Sequence, residues 1–318
     1  LENQTQINMK YKILPLFISF LFIPNLTINS QNINIIPKPQ EFSFGKSSLT
    51  INDNTLIISI KESNKSAKIL QNYFKEEFNL NLKSTEFQSQ KKKSIHFKVD
   101  ENLTNEGYEL SISEDGITIC ALDEKGWFYA MQSLIQYCSS TSYFSKYEKS
   151  IKLKEVKIKD APRFKWRAFM LDEARYFKGM QQVKMLLDEM ALLKMNVFHW
   201  HLVDDQGWRI EIKKYPKLTE IGSKRKSTQI GPLMWESPIQ SAEPHEGFYT
   251  QEEIKEIIQY ANERHITIVP EIEMPGHSTA AIASYSWLGT SKKEIEVPIR
   301  FGVGKDVYNV TNPRVTQF

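Results

Sequence analysis

The sequence predicts an α/β protein, with a small α+β domain at residues 31–160 and a parallel sheet with connecting helices at residues 161–318. Strand-like and helix-like patterns alternate along the second part, which is typical of parallel sheets with right-handed crossovers. Short β-rich segments separated by turn residues dominate the first part. The length of 318 residues, with 41% hydrophobic and 25% charged residues, fits about two globular domains.

The first 30 residues have the order of a secretory signal peptide. Met9 is followed by Lys10 and Lys12, by an apolar stretch at 13–23, and by polar residues that end at Ser30. The apolar stretch is shorter than the about 20 residues of a membrane-spanning helix. We expect cleavage after Ser30 and a secreted or periplasmic protein, with a single membrane anchor as the alternative. The residues before Met9 are interpreted as upstream translation.

Residues 31–160 carry the patterns of the small α+β domain. In order, they predict short strands at 33–60, a helix at 66–78, a strand at 94–99, a hairpin at 107–122 with a turn at 114–116, and a helix at 127–138. No group of polar residues converges in this part. Its aromatic residues are therefore expected to belong to the core rather than to a ligand platform.

Residues 161–318 predict three strands separated by helices. The expected elements are a strand at 168–171, a helix at 183–195, a strand at 196–203, a helix that begins at Thr250 and ends at Arg264, and a strand at 266–272. Thr250 and Glu253 have the spacing of a capping box, which marks the start of the second helix. Apolar residues at spacings of three and four give each helix one buried face.

Charge and cysteine content exclude some classes of function. The formal net charge of +3 comes from 41 basic and 38 acidic residues, and the basic runs are short and lack interleaved aromatic residues. Nucleic acid is therefore not expected as a partner. Cys120 and Cys138 are too few for a disulfide framework, and we expect both to be free thiols, with a bridge as the alternative.

Polar residues cluster at the ends of the three predicted strands. They are Arg175, Asp204, Asp205, Glu271, Glu273 and His277, together with His199 and His201 inside the second strand. The carboxyl ends of parallel strands lie at one edge of a sheet, so these side chains are expected to converge. Taken singly, Arg175 also fits a surface arginine and His277 fits a turn cap. The two strand histidines fit packed, hydrogen-bonded residues, with metal ligation as the alternative.

Three segments carry a resemblance to a known family. RAFMLDEARYF, KMNVFHWHLVDDQGWRIEI and VPEIEMPGHSTAA, in this order, resemble the first three strand-end motifs of the glycoside hydrolase family 20 β-N-acetylhexosaminidases. IIPKPQ, GYELSI and GWFYAMQSL resemble the small domain that precedes the barrel in that family. The resemblance covers about residues 33–318. It implies a TIM (β/α)8 barrel that removes terminal N-acetylglucosamine or N-acetylgalactosamine from glycans.

The resemblance also implies roles for individual residues. Arg175 matches a residue that binds sugar hydroxyls, which suits the five donors of a guanidinium. Asp204 and His277 match a supporting catalytic pair, in which a carboxylate orients an imidazole behind the general acid. Glu273 stands where the family has aspartate, next to this pair, and Ala168 stands where glycine is usual. No metal or other cofactor is implied.

The catalytic Asp-Glu pair of the family has no counterpart here. In the family it lies in an HxGGDE motif at the fourth strand, and none of the Asp-Glu pairs in this sequence has that setting. The second part is also shorter than the about 250 residues that an eight-stranded barrel needs. We therefore expect an N-terminal fragment with an incomplete barrel, and no hydrolysis by residues 31–318 alone. The complete enzyme is expected to use the acetamido group of its substrate as the nucleophile.

Two other classes of function are kept as alternatives. An HxH strand with nearby carboxylates resembles the zinc site of a metal-dependent amidohydrolase, but such a site needs further histidines on later strands. His245 and His265 lie instead in a predicted loop and at a predicted helix end. A non-catalytic glycan-binding protein is the third possibility. Both the hexosaminidase and the glycan-binding protein would have a glycan with a terminal N-acetylhexosamine as their partner.

Overall fold

The computed structural model describes residues 32–86, 93–141, 143–145, 149–231 and 237–318. Residues 33–318 form one compact unit. The predicted signal segment at 9–30 lies outside the described residues, and the predicted domain boundary near residue 160 stays a prediction. Among the described residues, no helix combines the length and the apolar character needed to cross a membrane.

The first part of the unit is a mixed sheet with two helices. Its strands are β1 (Glu41–Asn52), β2 (Leu56–Ser59), β3 (Lys83–Glu86), β4 (Ser94–Val99), β5 (Tyr108–Ser113), β6 (Gly116–Ala121), β7 (Tyr143–Ser145) and β8 (Ser150–Asp160). The helices are α1 (Asn64–Phe78) and α2 (Glu124–Thr141), and a 3₁₀ turn at Lys61–Ser63 precedes α1. The strand order is β1-β8-β5-β6-β4-β2-β3, with β7 paired to β8. The predicted helices and hairpin are thus present.

The β5–β6 hairpin depends on a glycine at its turn. Ser113 pairs with Gly116 in the antiparallel register. Gly116 has φ +141°, and a Cβ there would lie 2.5 Å from the carbonyl oxygen of Ser94 on β4. Only glycine meets both demands without strain.

Aromatic residues of this part lie in the core, as the sequence predicts. On α2, Trp127, Phe128 and Tyr129 are each at most 2% exposed. The indole of Trp127 also donates to the carbonyl of Lys98 at 2.9 Å, which satisfies its buried N–H. Cys120 and Cys138 are free thiols, and burial raises the pKa of Cys138.

The second part contains a parallel sheet of three strands. They are β9 (Ala168–Asp172), β10 (Val197–His201) and β15 (Thr267–Glu271), with β10 in the centre. The helices are α3 (Met180–Leu192), α4 (Lys217–Glu220), α5 (Gln251–Asn262), α6 (Thr279–Ser284) and α7 (Pro313–Thr316), with a 3₁₀ turn at Ser286–Leu288. Two short hairpins are formed by β11 (Val203–Asp204) with β12 (Gly207–Trp208), and by β13 (Lys224–Arg225) with β14 (His245–Glu246). This partial barrel-like sheet confirms the predicted fold class.

The capping box predicted for α5 is present in the structure. The Thr250 hydroxyl accepts from the backbone N–H of Glu253 at 3.2 Å, and the Glu253 carboxylate accepts from the backbone N–H of Thr250 at 2.8 Å. Two orphan donors at the helix start are thereby satisfied.

Two cations join the second part to the first. Lys194, just after α3, is 6% exposed, and its Nζ donates to the Tyr108 hydroxyl at 3.0 Å and to Asp160 Oδ2 at 3.3 Å. Arg167, before β9, donates through Nη2 to Glu106 Oε2 at 2.9 Å and to the Tyr129 hydroxyl at 3.0 Å. Because these contacts are largely withdrawn from water, they hold the two parts in one arrangement.

Candidate active site

Strand register brings the first three polar residues of the site together. In the parallel sheet, His201 pairs with Asp172 of β9 on one side and with Glu271 of β15 on the other. All three lie at the carboxyl ends of their strands, which is the edge where such sheets keep their binding sites.

Arg175 lies at the centre of this edge. Its Nη1 is 2.8 Å from Asp172 Oδ2, its Nη2 is 2.6 Å from Asp204 Oδ2, and its Nε donates to Gln206 Oε1 at 3.2 Å. The side chain is still 27% exposed. Hydrogen bonds to Asp172 and Gln206 and an ion pair with Asp204 therefore hold the guanidinium plane, while part of the side chain stays exposed.

Asp204 and His277 form the pair that the sequence motifs predict. His277 Nδ1 is 3.1 Å from Asp204 Oδ1, and the same oxygen accepts from the backbone N–H of Asp205 at 2.6 Å. The aspartate side chain is 1% exposed and the imidazole 37% exposed. Burial alone raises the pKa of Asp204, but hydrogen bonds from His201 and Asp205 and the charges of Arg175 and His277 outweigh burial and lower it. Asp204 is therefore held as a carboxylate.

His201 connects Asp204 with the strand-end carboxylates. Its Nε2 is 3.3 Å from Asp204 Oδ2 and 3.0 Å from the carbonyl of Val203. Burial lowers the pKa of His201, but Asp204, Asp172 and Glu271 raise it by more, so that the net shift is upward. The imidazole is a packed, hydrogen-bonded residue, as expected from the sequence.

Glu271 and Glu273 form a pair of interacting carboxyl groups. His199 Nε2 is 2.6 Å from Glu271 Oε2. Burial raises the pKa of Glu271, but the hydrogen bond from Glu273 and the two histidines lower it overall. The pKa of Glu273 is raised by its hydrogen bond to Glu271 and by burial. Glu273 is thus the weaker acid of the two, and its Oε1 lies 4.0 Å from His201 Nε2, close to the Asp204–His277 pair.

Asp205 turns away from Arg175. Its Oδ1 accepts from the backbone N–H of Thr279 at 3.0 Å and from the Thr279 hydroxyl at 2.6 Å, and its Oδ2 accepts from the backbone N–H of Gly304 at 2.8 Å. The carboxylate therefore anchors the start of α6 and the loop around Gly304, while its Oδ2 also lies 3.6 Å from His277 Nδ1, as its grouping with the strand-end residues in the sequence predicts.

Three further residues support the loop that carries Arg175. Glu173 is fully buried and accepts from Trp200 Nε1 at 2.6 Å, from the Tyr249 hydroxyl at 2.7 Å and from the backbone N–H of Lys178 at 2.8 Å. Arg209 donates to the carbonyls of residues 173, 174, 223 and 247. Arg225 donates to the carbonyls of Arg175, at 2.7 Å, and of Gln206.

Sequence reasoning missed most of these supporting residues. Gln206 directly follows Asp204 and Asp205 in the DDQGWR motif, and this position could have indicated that it belongs to the site. Arg209 ends the same motif, but nothing in the sequence distinguishes the buried Arg225 from a surface arginine, because it supports carbonyls that are distant along the chain.

Two groups of side chains have the donor types and spacing of a metal site. They are His201, Glu271 and Glu273, and Asp204, Asp205 and His277, with donor atoms within 4.8 Å of one another in each group. Arg175 lies 2.6 Å from Asp204 and 3.3 Å from His201 Nδ1, and its positive charge opposes a second cation there. Of the other histidines that a dinuclear site could use, His245 stacks on Tyr176 and His265 packs edge-on against Phe128.

A strand-end arginine held by carboxylates, beside a buried aspartate and a partly exposed histidine, offers the donors and acceptors that a polyhydroxylated ligand needs. Residues 164–318 match the family model described as "Glycosyl hydrolase family 20, catalytic domain", and residues 32–161 match that described as "Glycosyl hydrolase family 20, domain 2". The chain belongs to glycosyl hydrolase family 20. The resemblance found in the sequence is thereby confirmed.

Curated relatives and solved structures agree with this family. A β-hexosaminidase of Porphyromonas gingivalis is 38% identical over 292 residues, which are 91% of this chain and 36% of that relative. An N,N'-diacetylchitobiase of Vibrio harveyi is 39% identical over 214 residues, which are 64% of this chain and 23% of that relative. The chain thus spans about a third or less of the length of these two relatives.

The structural comparisons cover the same region. A family 20 exo-β-N-acetylglucosaminidase of Vibrio harveyi, solved with N-acetylglucosamine, matches with a TM-score of 0.75 and 33% identity, over 90% of this chain and 43% of that one. A Streptomyces plicatus β-hexosaminidase mutant, solved with the product GlcNAc, matches with a TM-score of 0.75 and 30% identity, over 90% of this chain and 55% of that one.

Proposed function

We propose that this protein is a β-N-acetylhexosaminidase that removes terminal, non-reducing N-acetylglucosamine or N-acetylgalactosamine from glycans. The observation that carries the proposal is the position of Arg175, held between Asp172 and Asp204 at the carboxyl ends of the strands and partly open to solvent. The names of the relatives support the same substrate class, since they are β-hexosaminidases and a chitobiase.

Arg175 is suited to bind sugar hydroxyls. A guanidinium has five N–H donors, and the bonds to Asp172, Asp204 and Gln206 leave donors over for a ligand. Asp172 is 32% exposed, so its carboxylate is able to accept from a second hydroxyl of the same sugar. Because the donors of Arg175 lie beside the acceptor of Asp172, the site is able to orient a hydroxylated ring and to prefer it over an apolar one.

The Asp204–His277 pair is suited to support a proton-transferring group. Asp204 holds His277 through Nδ1, and within the described part of the chain no hydrogen bond is found for Nε2 of this partly exposed imidazole. A buried carboxylate behind an imidazole fixes the orientation of the ring. In a substrate-assisted retaining mechanism, such a pair acts through a neighbouring carboxylic acid and tunes its pKa.

The acid itself has to come from an Asp-Glu pair, which this sequence does not carry in the family's HxGGDE setting. Residues 31–318 alone are therefore predicted to bind N-acetylhexosamine without hydrolysing glycosides. The two properties, binding and turnover, are separable by experiment.

The test compares the 318-residue chain with the product of the gene tagged at its native locus. Calorimetric titration with N-acetylglucosamine measures binding, and release of p-nitrophenol from p-nitrophenyl N-acetyl-β-glucosaminide measures turnover. We expect binding by both proteins, turnover by the native product, and loss of both on Arg175→Ala but not on Arg163→Ala, an exposed arginine away from the strand ends. Binding without turnover by the native product would favour the glycan-binding alternative, and zinc-dependent turnover the amidohydrolase.

We also propose that the protein is secreted or periplasmic. The charged, apolar and polar segments at 9–30 support this proposal. Amino-terminal sequencing of the native product tests it, with a first residue close to Gln31 as the expected result and an intact Met9 segment as the contrary one.

A further inference from the structure

A groove of about 650 Å³ lies beside the Arg175 site. Its walls come from Gln206 and Thr279 on one side and from the loop after the 3₁₀ turn on the other, at residues 290–306. The volume lies in the range of pockets that take small ligands.

Gln206 forms the partition between the groove and Arg175. Its Oε1 accepts from Arg175 Nε at 3.2 Å, while its Nε2 donates to the carbonyls of Arg300 at 3.1 Å and Gly302 at 3.2 Å. One amide group therefore separates the guanidinium from the backbone of the groove wall. When the terminal sugar of a glycan contacts Arg175, its next sugar or one of its ring substituents can therefore extend into the groove.

Three cations line this groove. They are Lys293, Arg300 and Lys305, all exposed, and no ion pair is found for them among the described residues. Lys226 differs from them, since its Nζ lies 2.8 Å from Glu296 Oε2. Unpaired cations on one wall give the groove a positive potential that attracts anions.

Asp306 is the one carboxylate that lines the groove, and its oxygens are occupied. It accepts from the Thr290 hydroxyl at 2.5 Å, the Thr290 backbone N–H at 2.9 Å and the Ser291 hydroxyl at 2.6 Å. It thus closes the loop without an ion pair to any of the three cations. Phe301, which is 54% exposed, adds an apolar surface between them.

We propose that this groove is a subsite for an anionic group, a sulfate or a carboxylate, carried by the glycan whose N-acetylhexosamine is held at Arg175. The inference rests on the proposed function and adds the substrate class: acidic rather than neutral glycans. Arg300 is suited to bind either anion with two parallel bonds, and the two lysines act as point charges.

Three probes test this inference on the 318-residue chain. They are N-acetylglucosamine, N-acetylglucosamine 6-sulfate, and a disaccharide of N-acetylglucosamine β-linked to glucuronic acid. We expect at least one acidic probe to bind about fivefold more tightly than the neutral sugar at low ionic strength. The difference is expected to shrink at about 0.5 M salt, because exposed charges are screened. The probe that gains identifies sulfate or carboxylate as the anion.

Matched triple variants locate the effect. Lys293→Gln, Arg300→Gln and Lys305→Gln together are expected to abolish the gain of the acidic probe and to leave N-acetylglucosamine binding unchanged. Lys83→Gln, Lys152→Gln and Lys154→Gln remove the same net charge from exposed strand positions in the first part and are expected to keep the gain.

Binding of the neutral sugar tests the proposed function, and binding of the two acidic probes tests the subsite. Absence of N-acetylglucosamine binding overturns the proposed function, and with it the subsite. Normal binding of N-acetylglucosamine with no gain for either acidic probe, or a gain that survives the groove variant, overturns only the subsite.

Discussion

Arg175 Nη2 lies 2.6 Å from Asp204 Oδ2, so the residue predicted to bind sugar and the residue predicted to orient His277 are directly joined. Asp204 is 1% exposed and uses its other oxygen for His277, at 3.1 Å. One buried carboxylate therefore fixes both the guanidinium and the imidazole. A change at Asp204 is expected to affect both groups at once.

The first prediction concerns the identity of the cation at Arg175. Arg175→Lys keeps the charge but loses the planar set of donors that meets Asp172, Asp204 and Gln206 together. We expect N-acetylglucosamine binding to weaken about tenfold, since bonds to charged groups contribute about 1.5–3 kcal/mol each. Calorimetric titration measures the change. Equal affinity of Arg175→Lys and the unchanged chain would contradict a role for the fork geometry.

A second prediction follows from the raised pKa of His201. Burial opposes the shift, but Asp204, Asp172 and Glu271 raise the pKa above its ordinary value of 6.5. The protonated imidazole therefore stabilises the folded state fully below pH 6.5, and this contribution is lost as the pH rises through the higher folded-state pKa. Urea unfolding of the chain at a series of pH values is expected to show this loss, and His201→Gln to lack it. An NMR titration that places the pKa of His201 below 6.5 would contradict this prediction.

The third prediction concerns the junction at Lys194. This ammonium is 6% exposed and meets Asp160 and Tyr108 across the two parts of the chain. Lys194→Ala leaves Asp160 without its cation, and we expect a loss of about 3 kcal/mol in the free energy of unfolding. Urea denaturation provides the measurement. Lys255→Ala, which removes an exposed pair with Glu252, serves as the control and is expected to change nothing measurable.

The fourth prediction concerns Glu173. Its buried carboxylate accepts from Trp200, Tyr249 and two backbone N–H groups of the Arg175-bearing loop. Glu173→Gln places an amide N–H against these donors, and we expect about 2–3 kcal/mol of destabilisation. If the variant folds, we expect it to bind the sugar more weakly while trypsin cleaves the rest of the chain at an unchanged rate. That result would show that only the Arg175-bearing loop has become more mobile. Unaltered stability and binding would show that the cluster is dispensable.

Much of the arrangement was predictable because local patterns agree with the tertiary structure. The alternation of strand and helix patterns at 161–318 predicts the parallel sheet, and Thr250 with Glu253 predicts the start of α5. The position of Arg175, Asp204 and His277 at strand ends predicts that they converge. Each of these predictions depends on side chains that are near one another in sequence or on the common direction of parallel strands.

Other features depend on contacts between distant parts of the chain. Asp205 follows Asp204 directly and both lie near His277 Nδ1, yet only Asp204 contacts Arg175, while Asp205 binds Thr279 and Gly304. The sequence treats them alike. Similarly, Arg225 supports the carbonyl of Arg175 from 50 residues away, which no local pattern reveals.

By itself, the sequence determined the strand and helix order, the family and the group of residues that meets at the strand ends, since hydrophobic periodicity and strand-end motifs are local properties. Only the tertiary structure decided which carboxylate contacts Arg175, which glutamate is the weaker acid, and where exposed cations border the Arg175 site. These depend on burial and on charge-to-charge distances between Arg175, Asp204, Glu271 and Glu273. Electrostatic interactions depend on distance and on the exclusion of water, and neither of these can be read from the sequence alone.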